Sequence, residues 1–252
     1  MTFEYKGNSF AYAEYGDKKG FPILIQHGMI ASIKDYQLFH SLIESRRRVI
    51  CIARPGYAES FPYKMNNVFE WGRIISVLVH ELGVKQFDIL GTSSGAPYSY
   101  SIAYVCSEMT RNVYIFSGTP ALYIDQIAAE WLYPIDRRAQ LPELQKLANE
   151  LFFSNLSIDA LHRNDIVDSQ KNDCFGIALD LQIRCIDWGF DLSKVKAMVY
   201  MQHSKTDNQV PFITAEMTSR LLMNCKLEIR ETGDHFSDEL LDQFIKKHCV
   251  GN

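Results

Sequence analysis

The segment Gly91-Thr92-Ser93-Ser94-Gly95 sets a serine between two glycines, directly after the run Phe87-Asp88-Ile89-Leu90. This G-x-S-x-G spacing is that of a nucleophile elbow, in which a strand turns sharply into a helix and the serine at the apex takes a strained conformation that only small neighbours tolerate. Ala96 to Val105 reads as the helix, with Pro97 in a first turn whose backbone donors are unpaired in any case. A glycine- and serine-rich turn can also be no more than a turn, so the motif gains meaning only from partners.

A serine hydroxyl is a poor nucleophile at neutral pH. It needs a base to take its proton, a third group to orient that base, and donors for the oxyanion. His235 falls in the loop Glu231-Thr232-Gly233-Asp234-His235-Phe236, between the alternating strand candidate Leu227 to Arg230 and an amphipathic stretch running to His248. Of the seven histidines it has the best setting for a base. The orienting acid, in the chain order Ser, Asp, His, is expected at Asp207, just beyond the buried-strand candidate Ala197 to Gln202. Asp234 adjoins the histidine and so points elsewhere. Parallel strands end on one edge of their sheet, so Ser93, Asp207 and His235, each just past a strand, are expected to converge there.

The oxyanion donors are expected to be the backbone amides of Ser94, which follows the nucleophile, and of Met29, in the loop after the strand Phe21 to Gln26. Gly28 lets the backbone approach a substrate closely, and His27 reads as structural, its ring hydrogen-bonded to hold the loop.

With these residues in place, the chain resembles the α/β-hydrolase superfamily over nearly its whole length. The landmarks are His27-Gly28, the loop Arg54-Pro55-Gly56-Tyr57-Ala58-Glu59-Ser60, the elbow at Ser93, and Asp207 with His235. The resemblance implies Ser93 as nucleophile, Asp207 as acid, His235 as base and an oxyanion hole from Met29 and Ser94. Three departures stand out: Ala53 where many members have aspartate, Ala58 where many have glycine, and Gly233-Asp234-His235 in place of Gly-Gly-His. They bear on loop shape and substrate fit more than on catalysis.

The elements that must position these groups are legible as a rhythm. Two N-terminal strands, Ser9 to Tyr15 the clearer, precede strand candidates at Ile23 to Gln26, Val49 to Ile52, Phe87 to Leu90, Val113 to Phe116, Val199 to Gln202 and Leu227 to Arg230. Helices are expected between them, including Phe69 to Leu82 and Phe212 to Leu222. This alternation predicts an α/β fold, a mainly parallel sheet of about eight strands flanked by helices. The rhythm breaks over residues 119–194, where apolar positions such as Leu141, Leu144, Leu147 and Leu151 recur at helical spacing. The expectation is a core of residues 1–118 and 195–252 with a helical cap, 119–194, inserted in the same domain and closing over the serine.

At 252 residues and 47% hydrophobic content the chain can bury a large core. The cap interval carries 12 acidic and 7 basic residues against 18 and 19 elsewhere, a balance expected to disfavour strongly anionic substrates. No basic stripe fits nucleic acid, and Arg46-Arg47-Arg48 reads as a solvated turn. The aromatics Trp131, Tyr133, Phe152, Phe153, Phe175, Trp188 and Phe190 either line a pocket or, for most of them, form the cap's own core. Six cysteines without paired spacing, an N-terminus without signal-peptide features and no membrane-length apolar run lead to the expectation of a cytoplasmic protein with reduced thiols.

The function expected is that of a serine hydrolase, without metal or cofactor, cleaving a small neutral or apolar ester, thioester or amide through an acyl-enzyme. The alternatives are a lyase, C–C hydrolase or cofactor-free peroxidase of the same fold, or a ligand-binding signalling protein that retains the triad.

Overall fold

The computed structural model describes residues 1–250. Its eight strands are β1 (Thr2–Tyr5), β2 (Asn8–Gly16), β3 (Pro22–Gln26), β4 (Arg48–Ile52), β5 (Phe87–Thr92), β6 (Thr110–Phe116), β7 (Met198–Ser204) and β8 (Cys225–Arg230). They form one sheet in the order β1-β2-β4-β3-β5-β6-β7-β8. Only the pairings of β2 are antiparallel; β4 through β8 run parallel. Lys6 and Gly7, both at positive φ, make the two-residue turn that starts the sheet as a hairpin.

Successive side chains of a strand face opposite ways, and the two faces bury different helices. Leu24, Ile50, Ile52, Val113 and Ile115 pack with α2 (Phe69–Glu81) and α3 (Ala96–Val105). Ile23, Ile25, Val49, Cys51, Tyr114 and Phe116 pack with α1 (His40–Glu44) and α8 (Asp238–His248). The parallel register aligns Ile52, Gln26, Gly91, Ile115 and Met201 across five strands, so the loops after β3, β5, β7 and β8 emerge along one edge. Strand positions expected from the sequence agree to within a few residues at each end.

Between β6 and β7 lie α4 (Asp125–Ala128), α5 (Leu141–Phe152) and α6 (Asn164–Ile183), with no strand; α7 (Phe212–Ser219) follows β7. α6 is kinked, because Asn172, Asp173 and Cys174 all have φ between 53° and 58°. Side chains hold this unusual run: Gln145 donates to the carbonyls of Asn172 and Asp173, and Asn149 donates to the Asp173 carboxylate. Among the described residues no helix is long and apolar enough to cross a membrane.

Charges inside the fold are paired. Asp88, fully buried in β5, accepts from Arg47 and Arg111, each at 2.6 Å. The reading of Arg46-Arg47-Arg48 as a solvated turn is therefore corrected: Arg47 is buried and also donates to the carbonyls of Phe21 and Cys249, while Arg48 pairs with Glu14. A lone buried aspartate would be costly, and β5 admits one because two guanidiniums meet it.

Arg54, just beyond β4, is wholly buried and donates to both carboxylate oxygens of Asp180 in α6, at 3.2 and 2.6 Å. Tyr57 and Tyr98 add hydroxyl donors to Asp180 at 2.8 and 2.5 Å. This network ties α6 to the sheet. Removing one partner of a buried ion pair leaves the other uncompensated, so Asp180→Ala is expected to cost about 3–5 kcal/mol of stability. Urea denaturation of wild type and variant checks this, and a loss under about 1 kcal/mol would mean that the pair is as weak as a solvent-screened one.

Candidate active site

Ser93 stands at the end of β5 with φ 48°, a left-handed conformation that costs a residue bearing a side chain and survives only where its surroundings enforce it. Both glycines of the elbow have packing reasons. A Cβ on Gly95 would lie 2.0 Å from the Gln26 carbonyl oxygen at the end of β3, and one on Gly91 would lie 2.3 Å from the Ser99 hydroxyl of α3. The strand and helix thus meet at backbone contact, and the hydroxyl between them is thrust into the loop edge of the sheet. The Thr119 amide donates to the Ser93 carbonyl at 2.9 Å and anchors the turn from the far side.

The structure brings Ser93, His235 and Asp207 together. Ser93 Oγ lies 2.9 Å from His235 Nε2, and His235 Nδ1 lies 2.7 Å from Asp207 Oδ2. With Nδ1–H donating to the carboxylate, Nε2 is free to accept from the serine hydroxyl. Asp207 Oδ1 accepts from the amides of Gln209 and Val210, at 2.9 Å each. Burial works against the charged carboxylate, but hydrogen bonds from His203 and His235 outweigh it and hold Asp207 well below the usual carboxylate range. Asp234, by contrast, is exposed.

His203 escaped the sequence reading. Its Nε2 lies 3.2 Å from Asp207 Oδ2 and 2.9 Å from the Val210 carbonyl, both acceptors, so this nitrogen carries the proton. A second imidazole thus meets the same carboxylate oxygen as His235. The available signal was a histidine four residues before the aspartate at a strand end.

The loop after β3 is held by its carbonyls. Arg54 donates to the carbonyls of His27 at 2.5 Å and Gly28 at 2.9 Å, and His27 Nδ1 donates to the Gly28 carbonyl at 2.7 Å. His27 Nε2 accepts from the Arg54 amide at 3.2 Å. Burial first, and the nearby Arg54 charge second, push the His27 pKa well below its ordinary value, so the ring stays neutral in this bridging arrangement. Because a trans peptide sets its N–H opposite its C=O, the Gly28 carbonyl turned to Arg54 directs the Met29 amide the other way.

Met29, Ser93, Ser94 and His235 all line one cavity of ≈ 1420 Å³. Residues of the 119–194 interval complete its walls, among them Trp131, Tyr133 and Phe152. The other aromatics of that interval go elsewhere: Phe153, Trp188 and Phe190 are buried in the packed clusters, and Phe175 packs at their edge. Leu147 and Leu151, which the helical spacing would bury, are 41% and 65% exposed because they face the cavity. Cys51 also reaches it, but burial pushes that thiol up and away from the nucleophilic thiolate. The cysteines are all unpaired.

No family model matches the chain. One curated relative, the dihydrolipoyllysine-residue acetyltransferase component of an acetoin cleaving system from Pseudomonas putida, is 21% identical over 147 residues; the match spans 57% of this chain and only 40% of that protein. Solved structures align over almost the full length. An esterase from Exiguobacterium antarcticum superposes with TM-score 0.71 at 18% identity, covering 98% of this chain and 97% of that one. A structure from work on carboxylesterases of Nitrososphaera gargenis gives 0.73 at 14%, covering 99% and 98%. An α/β-hydrolase enzyme from a Medee basin deep-sea metagenome library gives 0.70 at 18%, covering 98% and 97%. The strand order, the single antiparallel strand, the elbow after β5 and these superpositions agree: the chain has the α/β-hydrolase fold.

Proposed function

We propose that the protein is a serine hydrolase that cleaves an ester, thioester or amide through an acyl-enzyme. The observation that carries this reading is the continuous chain of hydrogen bonds from Asp207 through His235 to Ser93, ending at a hydroxyl that lines a large cavity. Ser93 Oγ attacks the carbonyl carbon as His235 Nε2 takes its proton. Asp207 holds the imidazole in the Nδ1–H tautomer and stabilises the imidazolium. The amides of Met29 and Ser94 take the charge that develops on the carbonyl oxygen.

His235 then gives its proton to the leaving group, and the acyl group remains on Ser93. Water enters, His235 removes its proton, and hydroxide attack releases the acid and restores the serine. No step calls on a metal or cofactor. Residues 119–194 act as a cap over the nucleophile, and the six unpaired cysteines support a reducing compartment such as the cytoplasm.

Loss of a triad serine removes nearly the whole triad effect, about 10⁶ in kcat. Ser93→Ala is therefore expected to abolish turnover of p-nitrophenyl esters while leaving the far-UV circular dichroism of wild type; undiminished turnover in folded variant would overturn the assignment.

Asp207→Asn is expected to lower kcat by about 10⁴, since an amide oxygen and nitrogen cannot fix the required tautomer with the same charge. It also tests the electrostatics. The folded-state pKa of Asp207 is depressed, so its contribution to stability is fully present above the unfolded-state value of about 4 and is lost as pH falls through the depressed value. The stability gap between wild type and Asp207→Asn, from urea denaturation, is expected to be constant from pH 7 to about 5 and to shrink below about 4; a gap that widens in acid would contradict the sign.

A further inference from the structure

Arg184 and Trp131 both line the cavity that holds Ser93, and both present buried donors without acceptors. Arg184 Nε and Trp131 Nε1 have no hydrogen-bond partner, and the guanidinium sits 5.5 Å from the centre of the indole ring. Among the described residues no aspartate or glutamate oxygen lies within 4.0 Å of this guanidinium. Its neighbour, the Cys185 thiol, is within hydrogen-bonding reach of the guanidinium, but burial raises its pKa and it supplies no counter-charge.

Several carboxylates of this region already have cationic partners. Asp180 pairs with Arg54, Asp168 with Lys34, Asp165 with Arg163 and Asp125 with Arg137. Asp35 and Asp238 also line the cavity without ion-pair partners among the described residues, and neither lies within salt-bridge distance of Arg184, whose guanidinium is left without a carboxylate. A planar guanidinium lying over the indole face, with an unpaired Nε–H and an unpaired indole N–H on the same cavity wall, offers donors and no acceptor, which suits a planar anion. A monoanion is favoured over a phosphate dianion, because one cation in a chain of net charge −4 leaves the second charge uncompensated.

We propose that Arg184 and Trp131 form a carboxylate subsite, so that the substrate carries a carboxylate at one end and the bond to be cleaved at the other. This rests on reading the cavity as the substrate site, and it replaces the expectation of a neutral substrate. The rest of the molecule is apolar, matching Leu147, Leu151 and Phe152 on the neighbouring wall.

Binding rather than turnover tests it, so that its fate is separate from that of the hydrolase reading. Isothermal titration of Ser93→Ala protein compares the monomethyl esters of succinate, adipate, suberate and sebacate with the corresponding dimethyl esters. At least one half-ester is expected to bind about tenfold to hundredfold more tightly than its neutral diester, the range of a charged hydrogen-bonded contact. Adding Arg184→Met is expected to bring that ratio near one, Arg184→Lys to keep part of it, and Trp131→Phe, which keeps a ring but no N–H, to reduce it several-fold. Equal binding of half-ester and diester across the series would overturn the proposal, as would a preference that survives Arg184→Met. If Ser93→Ala protein shows the preference while wild type hydrolyses none of the esters, the subsite stands and the ester branch of the hydrolase reading falls.

Discussion

Backbone contact between the elbow and the end of β3 is the constraint on which the site depends. Ser93 is held at positive φ because β5 must turn into α3 within a single short turn, and that turn fits only if Gly95 lies against the Gln26 carbonyl. Gln26 is the last residue of β3, and its side-chain oxygen accepts from the Trp71 indole of α2 at 2.7 Å. The position of the serine hydroxyl is thus set by the neighbouring strand as well as by its own. The same approach brings the loop after β3, with Gly28 and Met29, beside the serine, so the candidate nucleophile and candidate oxyanion donors are placed by one packing event. A side chain at Gly95 would separate both.

Arg54 connects this arrangement to the helices between β6 and β7. Its guanidinium spends its donors on the carbonyls of His27 and Gly28 on one side and on Asp180 of α6 on the other. A second set of contacts runs in parallel: Ser32 and Lys34 donate to Asp168 in the first half of α6, at 2.5 and 2.9 Å. The loop carrying Met29 is therefore gripped by the kinked helix at both its ends. Buried ion pairs are doubtful contributors to net stability, since desolvation offsets most of the attraction. Here they specify geometry, because a loop of backbone carbonyls has no apolar surface with which to hold itself in place.

Much of this was legible in the sequence because the signals are local. Strand periodicity, the two glycines of the elbow and a charged residue just past each strand can all be read within about ten residues, and the parallel register then brings Ser93, Asp207 and His235 to one edge. What escaped depends on partners distant in the chain. Arg47 looks solvated beside Arg46 and Arg48 until Asp88, 41 residues on, is placed under it. Asp180 is one acid among many until Arg54, Tyr57 and Tyr98 surround it, and the lack of a carboxylate beside Arg184 is visible only once the fold has placed the acids of the chain. Leu147 and Leu151 follow the helical period yet face a cavity, since periodicity identifies an apolar face without saying whether protein or ligand covers it. Of the three left-handed residues of α6, Asn172 and Asp173 are types that tolerate this conformation, but without glycine or proline the run reads as part of a helical stretch.

The central claim is that Ser93 is an activated nucleophile, and covalent trapping measures this most directly. A fluorophosphonate probe, followed by peptide mass spectrometry, is predicted to modify Ser93 in wild-type protein, and modification is predicted to vanish in His235→Ala, where the hydroxyl remains but its proton acceptor is gone. Modification of another residue, or equal labelling of Ser93 with and without His235, would contradict the account.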